Sequence, residues 1–407
     1  MTTELEQAQA LTQEFAAHLA QHAAPPEDEP WAEQSLAEGA AGIALFHIEY
    51  AAQGRSPWSP AHRWIAQAAA RDISAADTTG LYLGAPALAF VLNTVPDTVR
   101  HLYQDAYSAL HDNVIALAHR RADAALARLH RGTLATFGEY DTFFGLTGIG
   151  AYLLGSAPDS SAMERVLSYL VALTRPLDNN HPTPGWWVDH DPHREHTMPG
   201  GHGNLGAAHG ITGPLLLLAQ AERHGVRVEG QAGAIRAICD HLDTWRLEGE
   251  AGPWWPEPLT LADLESGRSH QRAPGRPSWC YGTPGIARAG QLAGIALNDP
   301  ALQLTYEDAL HQCLSDPGQL AQISDTTLCH GWAGLYQTVF RAARDARTPH
   351  LAALLPALRK DLITHARPSV AKGLGLLEGD AGCALALTTV SADRTPTTGW
   401  DACLLIN

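Results

Sequence analysis

The sequence predicts an all-α fold built from a repeated two-helix unit, and three observations predict it. Glycine or small-residue pairs three apart recur seven times, at Gly39/Gly42, Gly84/Ala87, Gly145/Gly148, Gly210/Gly213, Gly282/Gly285, Gly331/Gly334 and Gly379/Gly382. Most of them open an apolar, alanine-rich run such as Ile43-Ala44-Leu45-Phe46 or Leu335-Tyr336-Gln337-Thr338-Val339-Phe340. The intervals also hold second, more amphipathic segments. Between Leu102 and Leu129, the residues Leu102, Ala106, Leu110, Val114, Leu117, Ala118, Ala125 and Leu129 fall close to helical spacing. One inner and one outer helix per repeat follows. Glycine at a helix start spares the Cβ, so a neighbouring backbone or a ligand can come close. Seven such units closed in a ring would gather the helix starts at one end, around a shared cavity, and the site is expected there.

Taken in order, the first two repeats carry no candidate for chemistry, and Ala87 replaces the second glycine of the second step. The third is entered through Tyr140-Asp141-Thr142-Phe143-Phe144-Gly145. Irregular sequence then runs from Pro176 to Asn204, with Trp186, Trp187 and a histidine-dense stretch from Asp189 to His196 whose spacing matches no standard metal site. The fourth repeat opens with Ala208-His209-Gly210-Ile211. A second irregular stretch, rich in Gly, Pro and Trp, lies between Glu248 and Ser278. Both stretches read as long loops or a small lobe over the cavity mouth, or as plain solvated surface. The fifth repeat opens with Ser278-Trp279-Cys280-Tyr281-Gly282 and the sixth with Cys329-His330-Gly331.

Length and composition set bounds. A chain of 407 residues allows two domains by size, but a single closed architecture over 1–407, with insertions around 176–204 and 248–278, is the expectation from the repeats. Hydrophobic content of 45% and charged content of 17% are globular values. The start, Met1-Thr2-Thr3-Glu4-Leu5-Glu6, is acidic where a secretory signal is basic, and no apolar run reaches the ~20 residues that span a bilayer, so a cytoplasmic location is expected. Six cysteines are too sparse for a disulfide scaffold. A net charge of −16 argues against a nucleic-acid partner.

Cys280, Cys329 and His330 are three metal-ligand groups at equivalent places in the repeat. Two thiolates and one imidazole leave a tetrahedral zinc with a vacant position, the arrangement of a catalytic site. The other reading of such cysteines is that of small buried hydrophobes.

The segments Trp279-Cys280-Tyr281-Gly282, Cys329-His330-Gly331 and Ala208-His209-Gly210-Ile211, with the seven steps, resemble the lanthionine synthetase C family from about Gly39 onward. The resemblance implies an α/α toroid of inner and outer helices with one zinc (Zn²⁺) per chain, and the addition of peptide cysteine thiols to dehydroalanine or dehydrobutyrine to give thioether rings. A dehydrated precursor peptide with its leader, a separate dehydratase and an exporter are the partners it implies. Thiols have a pKa of about 8.5 and are mostly protonated at neutral pH, so a metal that binds the thiolate activates it. The addition places an enolate on the substrate carbonyl, which needs a donor, and leaves Cα needing a proton.

His209 is the candidate acid, with His202 a local competitor. Asp141 has two readings, orienting His209 or capping a helix. Arg276 matches an arginine of the family's site and would donate to the enolate, against the alternative of a surface loop arginine. Tyr281 would donate to the same oxygen or pack. Cys239, Cys313, Cys383 and Cys403 match no ligand of the family. Two other functions remain open on sequence: transfer of glutathione to dehydrated residues, and a zinc-stabilised scaffold that binds peptides without catalysis.

Overall fold

The computed structural model describes residues 3–21, 31–178, 181–368 and 373–407. Met1 and Thr2 of the acidic start, and residues 179–180 of the first irregular stretch, lie outside the described residues. The chain divides into two compact units, one of Met1–Val114, Ile323–Leu405 and Asn407, the other of Ile115–Gln322 and Ile406.

In the first unit four of the glycine steps open the helices Ala40–Ala52, Gly84–Asn93, Trp332–Asp345 and Asp380–Ala392. Each of them is buried on all sides over most of its length; in Ala40–Ala52 the buried run is unbroken from Ala40 to Tyr50. A helix apolar all round is an interior helix. They pack in the order Trp332–Asp345, Asp380–Ala392, Ala40–Ala52, Gly84–Asn93. One-sided helices cover them. Ser59–Ala68 buries Ala61, Trp64, Ile65 and Ala68 against Ala40–Ala52, and His350–His365 packs on Trp332–Asp345. The helix Glu4–Gln21 sets Ala8, Thr12, Phe15 and Leu19 on one face and packs on Asp380–Ala392. Complete burial of Phe15 and Leu19 is worth about 1.5–3 kcal/mol each.

The second unit repeats the arrangement with Leu146–Ser156, Thr212–Arg223 and Thr283–Ala296, each packed on the next. Their partners are Ser161–Leu173, Gln231–Thr244 and Pro300–Ser315. The first and last of these partners start at capping residues that accept a backbone N–H, Ser160 from Met163 and Asp299 from Leu302. The amphipathic stretch that begins at Leu102 forms the helix Gln104–His130, entered through a short 3₁₀ turn at His101–Tyr103.

The irregular stretches carry short strands: β1 (Pro176–Asp178), β2 (His181–Pro184), β3 (Val188–His190), β4 (Thr197–Asn204), β5 (Leu247–Gly249), β6 (Gly252–Trp254) and β7 (Pro258–Thr260). All pairings are antiparallel: β1 with β2, β5 with β6, and β4 between β3 and β7. The register Asn204↔Pro258 brings the end of the first stretch against the second.

The second residue of the glycine step has a steric cause. At Gly42, Gly213, Gly285, Gly334 and Gly382 an added Cβ would meet the backbone carbonyl oxygen six residues upstream, at 2.3, 2.8, 2.1, 1.9 and 1.8 Å. The loop ahead of each helix folds back onto the first turn, and only glycine leaves room for it. No helix among the described residues is long and apolar enough to cross a membrane.

Candidate metal centre

Backbone hydrogen bonds tie the loops ahead of successive helices to one another, and this fixes the side chains they carry. In the second unit Thr142 N donates to Ala208 O at 3.0 Å and Ala207 N to Cys280 O at 2.9 Å. In the first, Cys329 N donates to Leu377 O at 2.9 Å and Leu377 N to Ala37 O at 3.0 Å. Asp141, His209 and Cys280 thus stand on three bonded loops of one unit, and Cys329 and His330 on a bonded loop of the other.

Asp141 is fully buried and stands against His209, but it does not cap the next helix, whose N-cap Gly145 has no side-chain cap bond. Its Oδ1 accepts from Phe144 N at 2.7 Å and Gly145 N at 2.8 Å, closing the turn into the helix Leu146–Ser156. Its Oδ2 lies 2.6 Å from His209 Nδ1. Phe137, Phe143 and Phe144 surround the His209 ring, with centroids 5.8, 4.9 and 5.8 Å away, so the imidazole has one orientation available. His202, its competitor, packs on the far neighbour Phe137 at 5.7 Å. Its Nδ1 has no hydrogen-bond partner among the described residues, and burial, then the charge of His190, lowers its pKa. A carboxylate partner therefore distinguishes His209 from His202.

The turn before Thr283–Ala296 presents Cys280. Trp279 is fully buried, with its ring 5.9 Å from Phe143. Ser278 pins the turn: its Oγ donates to Tyr281 O at 2.5 Å and lies 3.5 Å from Cys280 Sγ. Gly282 has a φ of +91°, and a Cβ there would meet Arg276 O at 2.8 Å, so the glycine both makes the turn and admits the backbone of Arg276. Tyr281 receives a hydrogen bond on its hydroxyl from Asn204 Nδ2 at 3.1 Å, and Asn204 Oδ1 accepts from Gly206 N at 2.8 Å. Burial pushes the Tyr281 phenol well above its usual range, so it stays a donor. Its ring lies 6.5 Å from His209.

Two residues here were missed from sequence. Asn204 was visible in Gly201-His202-Gly203-Asn204 only as a neighbour of His202. Glu257, half-buried, has its carboxyl raised by burial and then by the Cys280 charge, and lowered by Arg276. Its Oε1 fills the place a side chain at Gly275 would take, 2.5 Å from that Cβ. Nothing local marks Glu257, because the approach depends on the β4–β7 pairing.

Cys280, Cys329 and His330 each offer one ligand atom, and these atoms all lie within 4.8 Å of one another. Around a tetrahedral zinc with bonds of about 2.0–2.3 Å the ligand atoms stand about 3.3–3.8 Å apart, so the three would close in slightly on the ion, and two thiols with one imidazole are a soft donor set suited to zinc. The set fits a metal ion. Cys239, Cys313, Cys383 and Cys403 are buried elsewhere, and burial holds their thiols high, those of Cys239, Cys313 and Cys383 at about 12. They are inert at neutral pH.

Residues 30–405 match the family described as lanthionine synthetase C-like protein. The nisin biosynthesis protein NisC of Lactococcus lactis subsp. lactis is 25% identical over 261 residues, 61% of this chain. The matched part spans 60% of the length of that relative. The solved structure of a nisin cyclase superposes with a TM-score of 0.79 at 21% identity, covering 98% of this chain and 97% of the other. The fold is accordingly an α/α toroid.

Proposed function

Because this chain belongs to the lanthionine synthetase C-like family, we propose that it is a zinc-dependent cyclase that closes thioether rings in a dehydrated precursor peptide. Cys280, Cys329 and His330 would hold one zinc ion, which when bound favours the thiolate form of a substrate cysteine. His209, Asp141, Arg276 and Tyr281 supply the rest of the chemistry. The substrate sulfur forms a bond to Cβ of dehydroalanine or dehydrobutyrine, and the Cα=Cβ electron pair moves onto the carbonyl as an enolate. Arg276 and the Tyr281 hydroxyl, itself held by Asn204, donate to that oxygen. His209, fixed through Nδ1 by Asp141, delivers a proton from Nε2 to Cα and is reset by the proton released from the thiol. No net proton is consumed. A separate dehydratase would supply the dehydro residues, and an exporter would take the product.

The observation that carries this reading is the buried His209–Asp141 pair, 2.6 Å apart, on a loop bonded to that of Cys280. The test is the zinc content of the full chain and of Cys280→Ala, followed by incubation with a dehydrated cysteine-containing peptide. About one zinc per chain, lost in the variant along with ring formation, supports the reading. Folded wild type without zinc would sink it. Addition of free glutathione in preference to ring closure would replace it with the transferase reading.

A further inference from the structure

We infer that Asp325 is a positioning residue that decides which nitrogen of His330 is offered to the metal, an inference that rests on the reading of Cys280, Cys329 and His330 as ligands. Asp325 Oδ2 lies 3.4 Å from His330 Nε2. The other oxygen is already committed: Oδ1 accepts from Thr327 N at 2.9 Å and from Thr327 Oγ1 at 2.7 Å. The backbone carbonyl of Asp325 is held as well, by Trp332 N at 3.1 Å. The carboxylate therefore cannot swing to the ring's other side. Gly331 is part of the same lock, since a Cβ there would meet Asp325 Oδ1 at 2.2 Å. Glycine after His330 thus serves the carboxylate as well as the helix start.

A fixed anionic acceptor beside Nε2 keeps the ring proton on that nitrogen. The lone pair is then on Nδ1, the nitrogen left for a metal. Neither Asp325 nor Glu378, whose Oε1 stands 4.0 Å from Nδ1, belongs to the group of three ligand atoms. Asp325 therefore acts through His330 and not as a ligand. The pattern Asp325-x-Thr327-x-x-His330-Gly331 reads as one device: carboxylate, clamp, ring and the gap that admits them.

The experiment measures zinc affinity of the full chain by competition with a chromogenic chelator, for wild type, Asp325→Asn and Thr327→Val. Asparagine keeps an oxygen for Thr327 but turns an NH₂ toward Nε2, which moves the ring proton to Nδ1 and blocks the ligand lone pair. The expected loss is about 10- to 100-fold, with a smaller loss for Thr327→Val, whose backbone N–H still holds the carboxylate. Melting of the metal-free proteins reports whether the variants fold. A second readout needs no metal: imidazole ¹⁵N shifts of the metal-free protein, with His330 identified by its absence in His330→Gln, should show the Nε2–H tautomer in wild type and Nδ1–H in Asp325→Asn. Zinc bound equally by wild type and Asp325→Asn, with the tautomer unchanged, overturns the inference and leaves the metal centre standing. A wild type that binds no zinc overturns both. Should Asp325→Asn fail to fold, an Nδ1–H tautomer in metal-free wild type overturns the inference by itself.

Discussion

Asp141 uses its two oxygens for different purposes, so its substitutions should separate stability from activity. Asp141→Ala removes both. Phe144 N and Gly145 N, now 2.7 and 2.8 Å from Oδ1, lose their acceptor, the bond to Gly145 being buried and that to the exposed Phe144 only partly so. At about 1–3 kcal/mol for the stranded Gly145 donor and about 0.5–1.5 kcal/mol for the partly solvated one at Phe144, the loss is about 2–4 kcal/mol, a large share of the 5–15 kcal/mol of a typical domain. Asp141→Asn is nearly isosteric and keeps one oxygen. That oxygen must stay on the two N–H groups, because an NH₂ there would face two donors. The amide nitrogen is then left opposite His209 Nδ1, where it can only donate. The imidazole changes tautomer, Nδ1 becomes an acceptor, and the charge that supports the protonated ring is gone. The variant should lose about 1–3 kcal/mol from weaker hydrogen bonds, and ring formation should slow about 10²- to 10⁴-fold, as for loss of a general acid. Urea unfolding of the two variants and of wild type, beside cyclisation followed by mass spectrometry, tests both parts. Asp141→Asn with a rate within threefold of wild type would refute the assignment of Oδ2, and Asp141→Ala no less stable than Asp141→Asn would refute that of Oδ1.

Other outcomes follow from features away from this pair. His47 lies buried in Ala40–Ala52 with neither ring nitrogen bonded among the described residues, and burial, then the charge of Arg63, holds its pKa down to about 4. The unfolded chain takes this proton near pH 6.5, so the stability is present above that pH and is lost as pH falls toward 4, by about 3 kcal/mol in full. Urea unfolding at pH 7 and pH 5 should show wild type losing about 2 kcal/mol more than His47→Leu; equal losses would mean the ring protonates freely in the fold. Gly382→Ala places a Cβ 1.8 Å from Leu376 O, whereas Gly373→Ala meets nothing within 4 Å. The first should cost at least about 1–3 kcal/mol in thermal unfolding and the second within about 0.5 kcal/mol of nothing.

The helix pairs were legible because each step repeats one steric problem. A loop carbonyl lies against the first helical turn, and the glycine that solves it can be counted along the chain. The same regularity made Asp141, His209, Cys280, Cys329 and His330 stand out, since each falls in a loop just ahead of its step. Arg276 and Tyr281 stood out by the resemblance to the family, and Asp325 could have been found through its spacing to Thr327 and His330. Glu257 and Asn204 had no such marker. They reach the Cys280 turn because β4 and β7 pair across more than fifty residues, and two short strands full of Gly, Pro and His carry no alternating pattern to announce it. The covering helix Glu4–Gln21 precedes the first step, so the repeat did not predict what it packs against.

The pairing of Glu4–Gln21 with Asp380–Ala392 sets a waiting time. Phe15 and Leu19 are made about 360 residues before Asp380–Ala392, the helix they pack on. At a synthesis rate of about 5–20 residues per second, the intervening ~360 residues take about 20 to 70 s. Until His350–His365 and Asp380–Ala392 follow, the apolar stripe of Glu4–Gln21 has no native partner. The risk to this chain during synthesis is then an early exposed stripe finding another nascent chain, and a chaperone that holds Glu4–Gln21 until Asp380–Ala392 emerges would raise the yield of folded protein.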